Sequence, residues 1–167
     1  MSAVLTARAT VRPAQECDVD SIVALVNGYA AESIMLYRTA DSVRLALADF
    51  VVAVDDLGTV VGCGALKEYS PSLGEVASVA VARDAHGQGV GGRIVDAIEG
   101  LAQKRGIGEL FALTLTPRFF EASGYVVVDR ARYPEKIRRD CLSCPRRLQC
   151  NEVCVMRAMD AELAAAA

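Results

Sequence analysis

Val79-Ala80-Val81, then after a four-residue spacer His86-Gly87-Gln88-Gly89-Val90-Gly91-Gly92, is the stretch on which the fold turns. Glu75–Ala82 is nearly all apolar after its first residue, as expected of a strand covered on both faces. Val90, Ile94, Ile98 and Leu101 then fall on one stripe at helical spacing, so the glycine-rich segment opens directly into a helix. A strand, a glycine loop and a helix make a device for anions. Glycines let backbone N–H groups come close to a phosphate, and the helix N-terminus adds about half a positive charge aimed at it. Tight turns use the same glycines for steric reasons alone, so the loop by itself names no ligand. Its spacing is neither the Gly-x4-Gly-Lys-Ser/Thr phosphate loop nor a dinucleotide Gly-x-Gly-x-x-Gly on a first strand.

Working outward, Ala9–Arg12 reads as a short strand closed by Pro13, and Asp18 as the N-cap of a helix carrying Ile22, Val23, Leu25 and Val26. A second helix begins after Thr39 or Asp41. Phe50–Val54 and Thr59–Leu66 are β-rich and joined by Asp55-Asp56-Leu57-Gly58, a hairpin signal. Beyond the central helix, Leu110–Leu115 is a buried strand, and Pro117 starts a short helix through Ala122. Gly124 ends that helix and leads into a strand over Tyr125–Val128, and Glu152–Met156 adds a last strand. Hairpins mixed with helical crossovers predict an α/β fold with a mixed sheet. The Ala164–Ala167 run reads as a frayed end.

At 167 residues the chain fits one domain, 1–167, with a core that needs no staples. It is 53% hydrophobic and 23% charged, which excludes a disordered chain. No apolar run approaches the ~18 residues of a membrane span, and no leader pattern opens the chain, so a cytoplasmic protein is expected. A net charge of −3 argues against nucleic acid as the partner. Within the Cys-rich, basic segment 130–156, however, the stretch from Arg130 to Arg147 sets Arg130, Arg132, Lys136, Arg138, Arg139, Arg146 and Arg147 against only Glu135 and Asp140. Such a patch suits a small anion, or is simply a solvated face. The same segment carries Cys141-x2-Cys144-x5-Cys150-x3-Cys154. That spacing admits a zinc or iron–sulfur site or merely packed thiols, and no metal is assigned. Cys63, in an apolar run, reads as a small buried thiol.

The Val-rich strand followed by His86-Gly87-Gln88-Gly89-Val90-Gly91 resembles the signature of the GNAT acetyltransferases, as do Val11-Arg12-Pro13-Ala14 with Asp18-Val19 and Phe119-Phe120-Glu121-Ala122-Ser123-Gly124-Tyr125. The resemblance runs from about Thr10 to Met156. It implies a GNAT-like α/β fold whose central sheet is mixed, mostly antiparallel and flanked by helices, and acetyl-CoA as co-substrate. It places the coenzyme diphosphate on the amides of Gly87, Gln88, Gly89, Val90, Gly91 and Gly92, with His86 and Arg93 beside them, and the pantetheine arm on the backbone of Val79, Ala80 and Val81. Two positions depart from the family: His86 stands where Arg or Gln is usual, and Phe120 where a proton-donating tyrosine often sits.

Met35-Leu36-Tyr37-Arg38-Thr39, Gly62–Lys67, Gly74–Val81, Leu110–Thr114, Tyr133–Lys136 and the Asp140–Pro145 tail resemble short, stand-alone bacterial N-acetylglutamate synthases, without the kinase-like domain of the long ones. The resemblance implies acetyl transfer from acetyl-CoA to the α-amino group of L-glutamate, the first step of arginine biosynthesis, by a homodimer acting on a small-molecule substrate. Acetyl transfer to an amine needs a base for the ammonium and a donor for the leaving thiolate. Glu75, the one charge at the start of a buried strand, matches the family's base, and Thr114 its hydroxyl donor. Arg38 and Lys67 match substrate-facing positions, Ser78 is expected to add backbone atoms to the substrate site, and a guanidinium is the best-shaped partner for a carboxylate. The residues leave open another amine acceptor (glutamine, another amino acid, a polyamine or a protein N-terminus) and a non-catalytic metal- or acetyl-CoA-sensing module.

Overall fold

The computed structural model describes residues 8–160; the Ala164–Ala167 run lies outside them. In chain order the principal elements are β1 (Thr10–Pro13), α1 (Val19–Ala31), α2 (Ala40–Leu45), β2 (Phe50–Val54), β3 (Val60–Ser70), β4 (Leu73–Val81), α3 (Val90–Lys104), β5 (Glu109–Thr114), α4 (Pro117–Glu121), β6 (Val126–Val128), α5 (Pro134–Lys136) and β7 (Val153–Ala158). A π-helical turn, Ile137–Cys141, continues α5. The seven strands form one sheet in the order β1-β2-β3-β4-β5-β7-β6. Pairings β1–β2, β2–β3, β5–β7 and β6–β7 are antiparallel, and β4–β5 is parallel from Leu73↔Glu109 to Glu75↔Phe111. This is the mixed, mostly antiparallel sheet with helices that the sequence implied. No helix among the described residues is long and apolar enough to cross a membrane.

The chain packs as two compact units, one of residues up to Leu66 with Ser78–Ile98, the other of Lys67–Ala77 with residues from Glu99 onward. β3 and β4 each run from one unit into the other.

In the first unit, Val19, Ile22 and Val26 of α1 and Val43 of α2 bury against Phe50, Val52, Cys63, Ala65 and Ala80. Thr39 is the N-cap of α2 and accepts from Ser42 N at 3.1 Å. Asp18 behaves differently from the expected side-chain cap. Its carboxylate accepts from Gln15 N at 2.7 Å and from both Arg12 guanidinium nitrogens at 2.7 and 3.0 Å, closing the 3-10 turn that precedes α1. The aspartate is buried, so its charge needs that fork rather than one amide. The Arg12 fork holds the Asp18 carboxyl below its ordinary value. Val90, Ile94 and Ile98 are buried as their spacing predicts, with Val95 buried alongside, whereas Leu101 is only half-buried. A Cβ on Gly64 would lie 2.6 Å from Ile94 Cγ2 and 2.9 Å from Ile98 Cδ1, so the helix approaches β3 as closely as a bare backbone allows.

The second unit is organised by aromatics. The Phe111 ring stacks on Tyr133 at 4.2 Å and meets Tyr69 at 5.5 Å, with Cys154 buried beside them. β3 runs four residues past the expected end at Leu66. Lys67-Glu68 looks like a strand terminus in sequence, yet the half-buried face continues through Tyr69. Inside β4, Ser78 sits at φ 54°, a left-handed conformation that costs a non-glycine residue about 1–2 kcal/mol.

Gly64→Val is expected to destabilise the protein by about 1–3 kcal/mol, read as a lower urea midpoint with unchanged slope. Gly28→Ala, in α1 where nothing lies within 4 Å of the added carbon, should raise the midpoint instead. Equal midpoints for the two variants would contradict the close β3–α3 approach.

Candidate active site

The glycine loop belongs to the first unit. Gly87 and Gly89 adopt φ of 75° and 74°, a region open to glycine and strained for other residues, and His86 to Gly89 are exposed. Among the described residues, none of the amides from Gly87 to Gly92 donates to a protein acceptor; Arg93 N is the first to do so, bonding Gly89 O at 3.2 Å. The side chains brace the loop. Arg93 donates to Gln88 O at 3.2 Å, Gly89 O at 3.4 Å and Ala9 O at 2.8 Å, and Gln88 Nε2 donates to Asp84 O at 3.0 Å. Open amides, glycine φ values and the start of a fifteen-residue helix fit a diphosphate.

His86 is tied to the end of β4. Its Nε2 lies 2.9 Å from Val81 O and 2.9 Å from the Tyr29 hydroxyl, which itself donates to Val81 O. The Tyr29 hydrogen is thus committed to Val81, so the imidazole proton sits on Nε2 and is shared between the other two oxygens. Of the Val79–Val81 backbone assigned to the coenzyme arm, the Val81 carbonyl is therefore already engaged. In the same unit Arg38 is held through its backbone by Asn27, with bonds of 2.8 and 2.9 Å, and its guanidinium lies 5.4 Å over the Phe50 ring. The Ser78 carbonyl is 3.5 Å from Cys63 Sγ, whose thiol burial pushes up to about 12.

Glu75 lies in the second unit, 5% exposed. Its Oε2 lies 2.8 Å from the Tyr69 hydroxyl oxygen and accepts from Lys136 Nζ at 3.0 Å. Lys136 also donates to Asp140 Oδ2 at 3.1 Å, the same oxygen that receives Lys67 Nζ at 2.6 Å and the Tyr69 hydroxyl. Lys67 Nζ and Arg139 Cζ sit 5.3 and 5.0 Å from the Tyr69 ring centre. Two carboxylates, two ammonium groups and one phenol form a single network. Burial works to lower Lys136, but Glu75 and Asp140 outweigh it and hold the ammonium above its ordinary value. Burial likewise works to raise Asp140, but Lys67, Tyr69 and Lys136 hold it well below. Burial, with Glu75 and Asp140 alongside, keeps the Tyr69 phenol neutral far above its ordinary range.

The structure thus brings Glu75 and Lys67 into one network, with Lys67 already paired. Thr114 is buried, but its Oγ1 is wound into its own turn, accepting from Thr116 N at 2.9 Å and lying 3.2 Å from Thr116 Oγ1. Tyr69, Lys136 and Asp140 were missed in the sequence. Their signal was present: Tyr69 shares a strand face with Lys67, and Lys136 and Asp140 stand four apart on helical backbone. Parts of the basic segment are also paired at the surface, Arg132 with Glu109 and Arg139 with Glu68 O. Arg130 donates to Cys150 Sγ at 3.3 and 3.4 Å. All six cysteines are free thiols, and among the described residues no three His, Cys, Asp or Glu are grouped to hold a metal ion.

This fold and loop place the chain in a class, and the comparisons agree. The chain belongs to the GNAT acetyltransferase family, whose acetyltransferase (GNAT) domain matches residues 46–127. It is 36% identical over 149 residues to an uncharacterized N-acetyltransferase of Chlorobaculum tepidum, covering 89% of this chain and 96% of that protein. It is 36% identical over 124 residues to the amino-acid acetyltransferase of Mycobacterium tuberculosis, covering 73% of this chain and 71% of that one. Rv2747 from Mycobacterium tuberculosis, solved in complex with CoA and NLQ, superposes with a TM-score of 0.80 at 28% identity over 90% of this chain and 99% of that chain. N-acetylglutamate synthase from Neisseria gonorrhoeae, complexed with coenzyme A and N-acetyl-glutamate, gives 0.81 at 27% identity over 96% of this chain but only 36% of the larger protein.

Because the folded Asp140 pKa lies below the ordinary 3.8, its stabilising contribution is present above that value and lost as pH falls through the folded one. Asp140→Asn should cost about 1 kcal/mol near neutrality, roughly 2–4 °C in Tm. It should also flatten the acid side of a Tm–pH profile below about pH 4. A profile parallel to the parent's would show that the network contributes nothing to stability.

Proposed function

We propose that this chain is a single acetyltransferase domain moving the acetyl group of acetyl-CoA to the α-amino group of an amino acid, with L-glutamate the acceptor and N-acetylglutamate the product, at the entry to arginine biosynthesis. The run of open amides from Gly87 to Gly92 carries the acetyl-CoA part of this reading. The acceptor rests on relatives named amino-acid acetyltransferase and on the superposition with an N-acetylglutamate synthase.

Acetyl-CoA supplies a thioester, and its reaction with an amine gives an amide and a free thiol. In this reading the loop amides and the α3 N-terminus hold the diphosphate, while Arg93, Gln88 and His86 keep the loop in shape. β4 carries Glu75 and, farther along the same strand, the Val79–Val81 backbone that this reading gives to the coenzyme arm. Glu75, buried and flanked by Lys136, takes the proton of the α-ammonium, directly or through a water. Arg38 offers its guanidinium to a substrate carboxylate. The Thr114 hydroxyl, or Thr116 bonded to it, gives its proton to the leaving thiolate and takes back the second proton that the acceptor nitrogen loses as the amide forms.

One observation favours a second acceptor. Asp140 already answers the Lys67 charge, so a side-chain carboxylate finds less free cation there than the sequence suggests, and glutamine or another amino acid becomes a competitor.

The test is a thiol-release assay with acetyl-CoA across the common amino acids and several polyamines. L-Glutamate should give the highest kcat/KM, and Glu75→Gln should lower kcat by roughly 10²–10⁴-fold with KM for acetyl-CoA nearly unchanged. Full activity in Glu75→Gln removes Glu75 as base, and preference for polyamines overturns the amino-acid reading.

A further inference from the structure

A buried base has a second task after accepting a proton: it must lose that proton before the next turnover. The Glu75 side chain is 6% exposed, so water reaches it poorly, whereas Asp140, two hydrogen bonds away through Tyr69, is 28% exposed. The count of hydrogens along this path is informative. The Tyr69 oxygen is hydrogen-bonded to both Glu75 Oε2 and Asp140 Oδ2, but a phenol has one hydrogen. With both carboxylates ionised, one of the two contacts lacks a proton. The network is one hydrogen short of complete, and a proton arriving on Glu75 supplies it.

We infer that Tyr69 and Asp140 form a proton exit for Glu75, carrying the proton removed from the acceptor amine to solvent. This rests on the reading of Glu75 as the base. In the resting network the Tyr69 hydrogen lies toward Asp140. The amine proton passes to Glu75, Glu75 gives it to the Tyr69 oxygen, and Tyr69 releases its own hydrogen to Asp140. At the end Glu75 is again a carboxylate, Tyr69 again a neutral phenol, and Asp140 carries the one proton, which it loses to water. Every charged group facing the phenol suits this path. Lys136, from α5, lies against both carboxylates and stays protonated, fixing the two ends without joining the transfer. Lys67, from β3, and Arg139, from the π-helical turn, sit over the ring, and Lys67 favours the ionised form of Asp140, so the final proton departs readily. Tyr69 and Asp140 act through Glu75 and need not touch the substrate.

Tyr69→Phe tests the exit while keeping the ring that packs on Phe111. The variant should fold with an unchanged circular dichroism spectrum. Its kcat should fall roughly tenfold or more, with KM for acetyl-CoA and for the amino acid each within about twofold. Its rate should rise with the concentration of a small buffer such as imidazole, which the parent ignores, because the buffer replaces the lost exit. Wild-type kcat, a change confined to KM, or a slowed rate indifferent to buffer overturns the proposal and leaves Tyr69 a packing residue. Should Tyr69→Phe fail to fold, Asp140→Asn reads the same path with the phenol in place, and the same outcomes apply. Loss of activity in Glu75→Gln with normal kinetics in Tyr69→Phe rejects the exit alone; full activity in Glu75→Gln rejects the base reading as well.

Discussion

A peptide N–H left without an acceptor is an unfinished hydrogen bond, and this chain places a run of them together at the start of α3. Everything around the loop serves to keep them open. Gly87 and Gly89 take left-handed backbone conformations that a side chain would strain. Arg93 takes up the carbonyls on the other side, and the Tyr29–His86–Val81 bonds pin the point where β4 hands over to the loop. The buried Val90, Ile94 and Ile98 seat the helix firmly enough that its positive end stays aimed at the loop. A loop of this kind is costly to keep dry and well matched to an anion.

The second unit solves a different electrostatic problem. Glu75 is a carboxylate with almost no contact with solvent, and such a charge persists only when paired and hydrogen-bonded. Lys136 supplies the opposite charge and its N–H the hydrogen bond, with the Tyr69 hydroxyl alongside, while Asp140 balances the ammonium groups of Lys67 and Lys136. Removing any one member leaves another without its partner, so these five residues stand as a unit. The aromatic stack of Tyr69, Phe111 and Tyr133 holds the phenol in place beneath them.

How much of this was legible beforehand follows the range of the forces involved. Local signals were read well: β2 at Phe50–Val54, a helix start placed after Thr39 or Asp41, Pro117 opening α4 and the strand–loop–helix junction all depend on neighbours in sequence. The mixed sheet followed from their order. The Glu75 network was not legible, because its partners lie six to sixty-five residues away and only the folded chain brings β3, β4 and the 134–141 helical segment together. Lys67 showed the same gap: its charge was visible, its pairing with Asp140 was not. Asp18 and His86 were visible as a cap and as a loop residue, but the buried fork from Arg12 and the bond to Tyr29 are tertiary facts.

The central claim is that the amides between Gly87 and Gly92 grip the coenzyme diphosphate. Titrating acetyl-CoA into uniformly 15N-labelled protein and following backbone amide resonances tests it directly. The Gly87–Gly92 signals should show the largest shifts, downfield and saturable, with one affinity shared by all of them. Saturable binding that moves other amides while these six stay still would contradict the account.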